Sequence, residues 1–177
     1  KFVLSGLRYW LGKRHIWFTG GEPFLRKDAI DLIYHANRHG LSTGVITNGI
    51  LLNNRRIDEL LDSGLNEYHV SIDSKDPSIH DYLRGVSEAH KKATENILKL
   101  KEKAIKKGIK IKLVVKTIIM GYNYTEIIRL VDWVYEMGFD EIKFQPIESN
   151  LEAEDDPLWF HNSPFWYSQS EEKFFFE

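Results

Sequence analysis

The 177 residues carry 42% apolar and 28% charged side chains with a formal net charge of −2, the balance of an ordinary soluble domain long enough to bury one core. That charge gives no footing for a nucleic-acid surface or a strongly anionic partner; no apolar run reaches bilayer length and no signal peptide is visible, so a cytoplasmic setting is expected. Cysteine is absent, which excludes disulfides, thiol catalysis and thiolate-held metals from these residues.

The chain opens on an amphipathic stretch with Val3, Leu4, Leu7, Trp10 and Leu11 at helical spacing. HIWFTG (residues 15–20) then reads as a strand, followed by Gly-Gly-Glu-Pro. A helix with Ala29, Leu32, Ile33 and Ala36 on one face stops at Gly40. STGVIT (42–47) is the next strand, and Asn48-Gly49 a turn. A third helix buries Ile57, Leu60 and Leu61 and ends before Gly64; YHVSID (68–73) follows as a strand.

Asp76-Pro77 is expected to break the chain before a long polar helix from about residue 87 to residue 107, closed by Gly108. IKLVVKTII (111–119) is the most β-prone run. Asn123 with Glu126 three residues on reads as a capping box, opening a helix with Ile127, Leu130, Val131 and Val134 that ends at Gly138. EIKFQPI (141–147) is the last strand.

Strands joined by single helices imply parallel pairing through right-handed crossovers. The expected class is therefore α/β: a barrel or part-barrel, or a doubly wound open sheet, which periodicity does not separate. In both, ligands sit at the carboxyl ends of the strands. Residues 148–177 are acidic and then aromatic, an expected linker toward a further domain; Lys1 at one end and Phe174 to Phe176 at the other mark an expected fragment of a longer protein.

The carboxyl ends hold the candidate residues. Gly20 and Gly21 allow close approach to the backbone, Glu22 offers a carboxylate to an ammonium group, and Pro23 stiffens the exit. Thr47-Asn48-Gly49 alone is a turn. Ser71 and Asp73, two apart, share a strand face, where a hydroxyl and a carboxylate hold sugar hydroxyls or cap the next helix. Arg84, in the following loop, is placed to clamp a carboxylate. His35 and His39 have metal-ligand spacing but no third ligand, and His15, His69, His80, His90 and His161 form no motif. The lysines of residues 99–112 read as a solvated helix face, and the aromatics of residues 159–167 as packing.

Taken together, FTGGEPFLR, ITNG, VSIDS followed by IHDYLRG, and KTIIMGYNYTEI before KFQPI resemble radical S-adenosylmethionine (SAM) enzymes over residues 2–147, in the branch of the molybdenum-cofactor cyclase and SPASM-type peptide-modifying enzymes. The resemblance implies a partial (β/α)6 TIM-like barrel whose first strand lies upstream. It implies that Gly20, Gly21, Glu22 and Pro23 hold the methionine ammonium of SAM. By the same resemblance Thr47 and Asn48 line the cavity, Ser71 contacts the cofactor with Asp73 supporting, Arg84 neutralises the methionine carboxylate, and Gln145 lies near the adenine. Lys116 stands where the family often has a smaller polar residue against the ribose.

The implied cofactors are SAM and a 4Fe–4S cluster whose CxxxCxxC is not in this chain, the implied partners an electron donor and a small-molecule or peptide substrate. The implied reaction is reductive cleavage of SAM to start hydrogen abstraction, with the 177 residues inactive by themselves. Another class of reading is a cluster-free binding or scaffold barrel. An aldolase-type phosphate barrel ranks last, because residues 144–149 contain no glycine.

Overall fold

The computed structural model describes residues 2–147 and 165–166. In chain order these form α1 (Phe2–Leu11), β1 (His15–Phe18), α2 (Ala29–Arg38), β2 (Ser42–Thr47), α3 (Asn54–Asp62), β3 (Glu67–Ser71), α4 (Pro77–Arg84), α5 (Ala89–Lys107), β4 (Lys112–Ile119), α6 (Ile127–Glu136) and β5 (Glu141–Pro146), with short 3-10 turns at Pro23–Leu25 and Tyr124–Glu126. The linker expected over residues 148–177 lies outside the described residues except for Phe165 and Trp166.

All neighbouring strands are parallel and their order is β1-β2-β3-β4-β5. Strictly sequential order decides between the two α/β alternatives. A doubly wound sheet reverses direction at a central strand, whereas right-handed crossovers that never reverse put every helix on one face and curl the sheet toward a TIM-like barrel. The fold is this partial barrel.

The helix-side face of the sheet carries Val45, Tyr68, Val70, Ile72, Leu113 and Val115, which pack with Ile33, Ile57, Leu60, Ile97, Leu100 and Leu130 into the core. Residues alternate with these on the opposite, inner face. There Trp17 contacts His15 and His69, each at 4.5 Å between ring centres. Trp17 is in register with Gly44, where any side chain would collide with the indole.

Two expectations about local structure are corrected. Asp76-Pro77 does not break the chain but starts α4: the Asp76 carboxylate accepts from the Ser78 N–H at 2.8 Å, and Pro77 fills the first helical position, where a missing N–H costs nothing. Arg84 is consequently the last residue of a helix capped by left-handed Gly85, not part of a loop. The second correction is at Asn123, which makes no capping bond to the following turn. Its side chain is used across the barrel rim instead.

Candidate active site

At the end of β1 the chain passes through Gly20, with φ of 130°, and Gly21, and a Cβ on either would meet nothing within 4 Å. The backbone here is bare and faces open space. Glu22 follows, and its carboxylate turns back into the protein. Oε1 accepts from the Phe24 N–H at 3.0 Å and from the Thr47 hydroxyl at 2.7 Å, while Oε2 accepts from the Asn48 N–H at 2.8 Å. Three of the roughly four acceptor places of a carboxylate are thus filled. Glu22 is the joint between the loop after β1 and the turn after β2.

That turn is built to receive it. The Thr47 Oγ1 accepts from Gly49 N–H and the Asn48 Oδ1 from Ile50 N–H, each at 3.0 Å, while the Asn96 amide of α5 donates to the Gly49 carbonyl at 2.8 Å. Thr47 is 2% exposed and in register with core residue Val70. It stands on the helix side of the sheet, so its hydroxyl serves Glu22 and not the inner face. Tyr68 is buried on the same side with no partner for its hydroxyl among the described residues; burial first, and then the Glu22 charge, raise its pKa.

A second node sits over β3 and β4. Asp73 is 2% exposed. Its Oδ1 accepts from the Ile118 N–H at 3.1 Å, and its Oδ2 lies 2.7 Å from Arg84 Nε. The Asp73 N–H donates to His80 Nδ1 at 3.1 Å, and its carbonyl accepts from the Asn123 amide at 2.8 Å. The same Asn123 amide donates to the Ile118 carbonyl and its oxygen accepts from the Met120 N–H, both at 2.8 Å. Burial raises the Asp73 pKa against the pull of Arg84 and Ile118. His80 is driven the other way, down to about 4, by burial and by Arg84 and His90. It is a neutral acceptor whose proton is on Nε2.

The structure therefore brings the sequence candidates together in two groups, Glu22 with Thr47 and Asn48, and Asp73 with Arg84. Ser71 and Gln145 stand on the inner face, Ser71 in register with Lys116 and Gln145 with Ile118. Asn123 and His80 were not singled out for the site from sequence; an Asn three residues before Glu reads as a helix cap, and a lone His has no signature. Two of the larger concavities lie elsewhere: one of about 510 Å³ beside Lys101, Lys110 and Asp140, and one of about 450 Å³ between α2 and α3. A smaller one of about 220 Å³ touches Gly21, Glu22 and Pro23 from the α2 side, below the 300 Å³ or so of a typical ligand pocket.

The description "Radical SAM superfamily" matches residues 7–134. A PqqA peptide cyclase of Bradyrhizobium diazoefficiens is 39% identical over 95 residues, covering 54% of this chain and 25% of the relative. One from Rhodopseudomonas palustris is 38% identical over 92 residues, covering 52% and 24%. The chain thus spans about a quarter of the length of these curated relatives. Among solved structures it superposes on native anSMEcpe with bound AdoMet and Kp18Cys peptide at a TM-score of 0.67, with 13% identity over 96% of this chain and 46% of that one. It superposes on Streptococcus suis SuiB bound to precursor peptide SuiA at 0.59, with 22% identity over 76% and 28%. These structures share the fold.

Proposed function

The chain belongs to the radical SAM superfamily, and from that membership we propose that it is the SAM-binding core of an enzyme acting by hydrogen abstraction on a peptide. When bound, SAM supplies the 5′-deoxyadenosyl group and a reduced 4Fe–4S cluster the electron that frees it as a radical. The chain's own residues do not fit the cluster, since none is a cysteine, and the thiolates would come from outside these 177 residues.

They do fit SAM. The observation that carries the reading is the Glu22 joint, which fixes two strand-end loops against each other and leaves the Gly20–Gly21 backbone open to a ligand. With the carboxylate committed internally, we assign the methionine ammonium to the main chain at Gly20 and Gly21, with Glu22 and Pro23 holding that main chain in place. Asn48 anchors the facing turn, Ser71 and Gln145 present polar groups from the inner face, and Asp73 with Arg84 braces the rim over β3 and β4. Relatives named for peptides support a peptide substrate. No helix among the described residues is long and apolar enough to cross a membrane, in keeping with a cytoplasmic enzyme. Residues 1–147 form the core in this reading, and 148–177 lead toward a further domain.

Calorimetric titration of SAM into the full-length, cluster-loaded protein tests it. Glu22→Ala leaves three donors without their acceptor and should weaken SAM at least about tenfold, the equivalent of one lost charged hydrogen bond. Equal affinity in wild type and variant would leave the joint without a role in binding and overturn the assignment. A full-length protein that holds neither cluster nor SAM would favour the scaffold reading.

A further inference from the structure

Among the described residues Lys116 is a cation without an answering anion. It lies in β4 on the inner face, in register with Ser71 of β3 and Lys143 of β5, and is half-buried. The described carboxylates of the same face each hold another partner. Glu141 pairs with Lys112 and lies 3.6 Å from Lys143, Asp73 holds Arg84, and Glu67 lies 3.1 Å from His69. No ion pair or side-chain hydrogen bond joins Lys116 to any described residue. Its direct neighbour across the strands is another lysine, and like charges facing each other in a sheet cost stability unless an anion lies between them.

Resting on the reading of this chain as the SAM-binding core of an enzyme acting on a peptide, we propose that Lys116, on the inner face, receives a carboxylate of the substrate, which is an acidic peptide. SAM is not the natural counterpart of this row: with a sulfonium and an ammonium against one carboxylate it is itself a net cation. Arg84, the other cation considered for a carboxylate, has its charge matched by buried Asp73. A glutamate or aspartate side chain of a peptide supplies the missing charge and replaces the water that the two ammonium groups would otherwise need.

The test uses the full-length, cluster-loaded protein with SAM. The probes are a fluorescein-labelled heptapeptide containing two glutamates and its twin with glutamines, followed by anisotropy. Wild type should bind the glutamate peptide about tenfold more tightly than its twin, with the ratio shrinking as salt is raised. Lys116→Gln should abolish the ratio and Lys116→Arg keep it, with SAM affinity followed by calorimetry in both variants. Equal binding of the two peptides to wild type, failure of both to bind, or a ratio that survives Lys116→Gln overturns the proposal. So does a Lys116→Gln protein that loses SAM affinity, since the charge would then serve the methionine carboxylate. Wild type that fails to take up SAM strikes instead at the superfamily reading of the site, and the peptide ratio measured without SAM still decides on Lys116.

Discussion

Asp73 and Arg84 approach to 2.7 Å across the first part of the β3–β4 crossover, the acid 2% and the guanidinium 27% exposed at their side chains. The contact is one of charge more than of hydrogen bonding, because Arg84 Nε has no aligned acceptor among the described residues. It joins the strand end to the last turn of α4, and so holds against the rim a helix separated from β3 by only five residues.

Removing the cation leaves a buried carboxylate alone. Arg84→Gln should destabilise the protein at neutral pH by about 3 kcal/mol, as for other buried pairs broken on one side. The pH dependence has a definite sign. Burial raises the Asp73 pKa in the folded protein, so this acid's contribution is complete at low pH and is lost as pH rises through its folded value. Without Arg84 that value climbs further. The gap between wild type and variant in urea denaturation should therefore widen from pH 4 to pH 7. A gap that narrows over this range refutes the pairing.

His80 works in the opposite sense. Its pKa falls from 6.5 to about 4 in the fold, so the unfolded chain takes up a proton where the folded one refuses it. The stability that neutral His80 contributes is complete above about pH 6.5 and is lost as pH falls toward 4, on the order of 3 kcal/mol in all. His69 and His90, also lowered by burial, add in the same direction, while Asp73 subtracts. In His80→Gln the slope of unfolding free energy between pH 7 and pH 4.5 should become shallower. An unchanged slope would show that another group carries it.

The strands, five of the six described α-helices and the parallel arrangement were legible in the sequence because each rests on local pattern: β-rich runs of four to eight residues, apolar faces at helical spacing, glycines past the ends; α4 was not, because Asp76-Pro77 reads as a break and serves as a helix start. The rim was legible as a set of positions and not as a network. Glu22, Asn48 and Asp73 stand where strand ends put them and Arg84 where α4 ends, but which carboxylate turns inward depends on donors that only the fold supplies. Glu22 finds Thr47 and Asn48 twenty-five and twenty-six residues on. Asn123 shows the same from the other side, since its spacing to Glu126 promised a cap while its amide reaches Asp73 fifty residues away. The net charge of −2 likewise conceals a local excess. Lys116 and Lys143 become neighbours only through the register of β4 and β5.

Gly49 offers a sharp comparison with Gly85, because both have left-handed backbones, φ of 75° and 63°, and only one is crowded. A Cβ at Gly49 would lie 2.8 Å from Val70 Cγ2 and 3.2 Å from Ala93 Cβ, whereas at Gly85 it would meet nothing within 4 Å. Gly85→Ala should cost only the left-handed penalty, about 1 kcal/mol. Gly49→Ala adds overpacking to that penalty, for a total of about 2–4 kcal/mol. The excess has a functional consequence. Relief of the clash moves the turn away from Val70 and α5, and with it the Asn48 N–H that Glu22 holds at 2.8 Å. Gly49→Ala should therefore weaken SAM binding in the full-length protein as well as stability, while Gly85→Ala affects stability alone. Denaturation midpoints and SAM calorimetry on the two variants check both halves; equal costs for the two would mean that the Asn48 turn gives way without strain and does not fix the loop across from it.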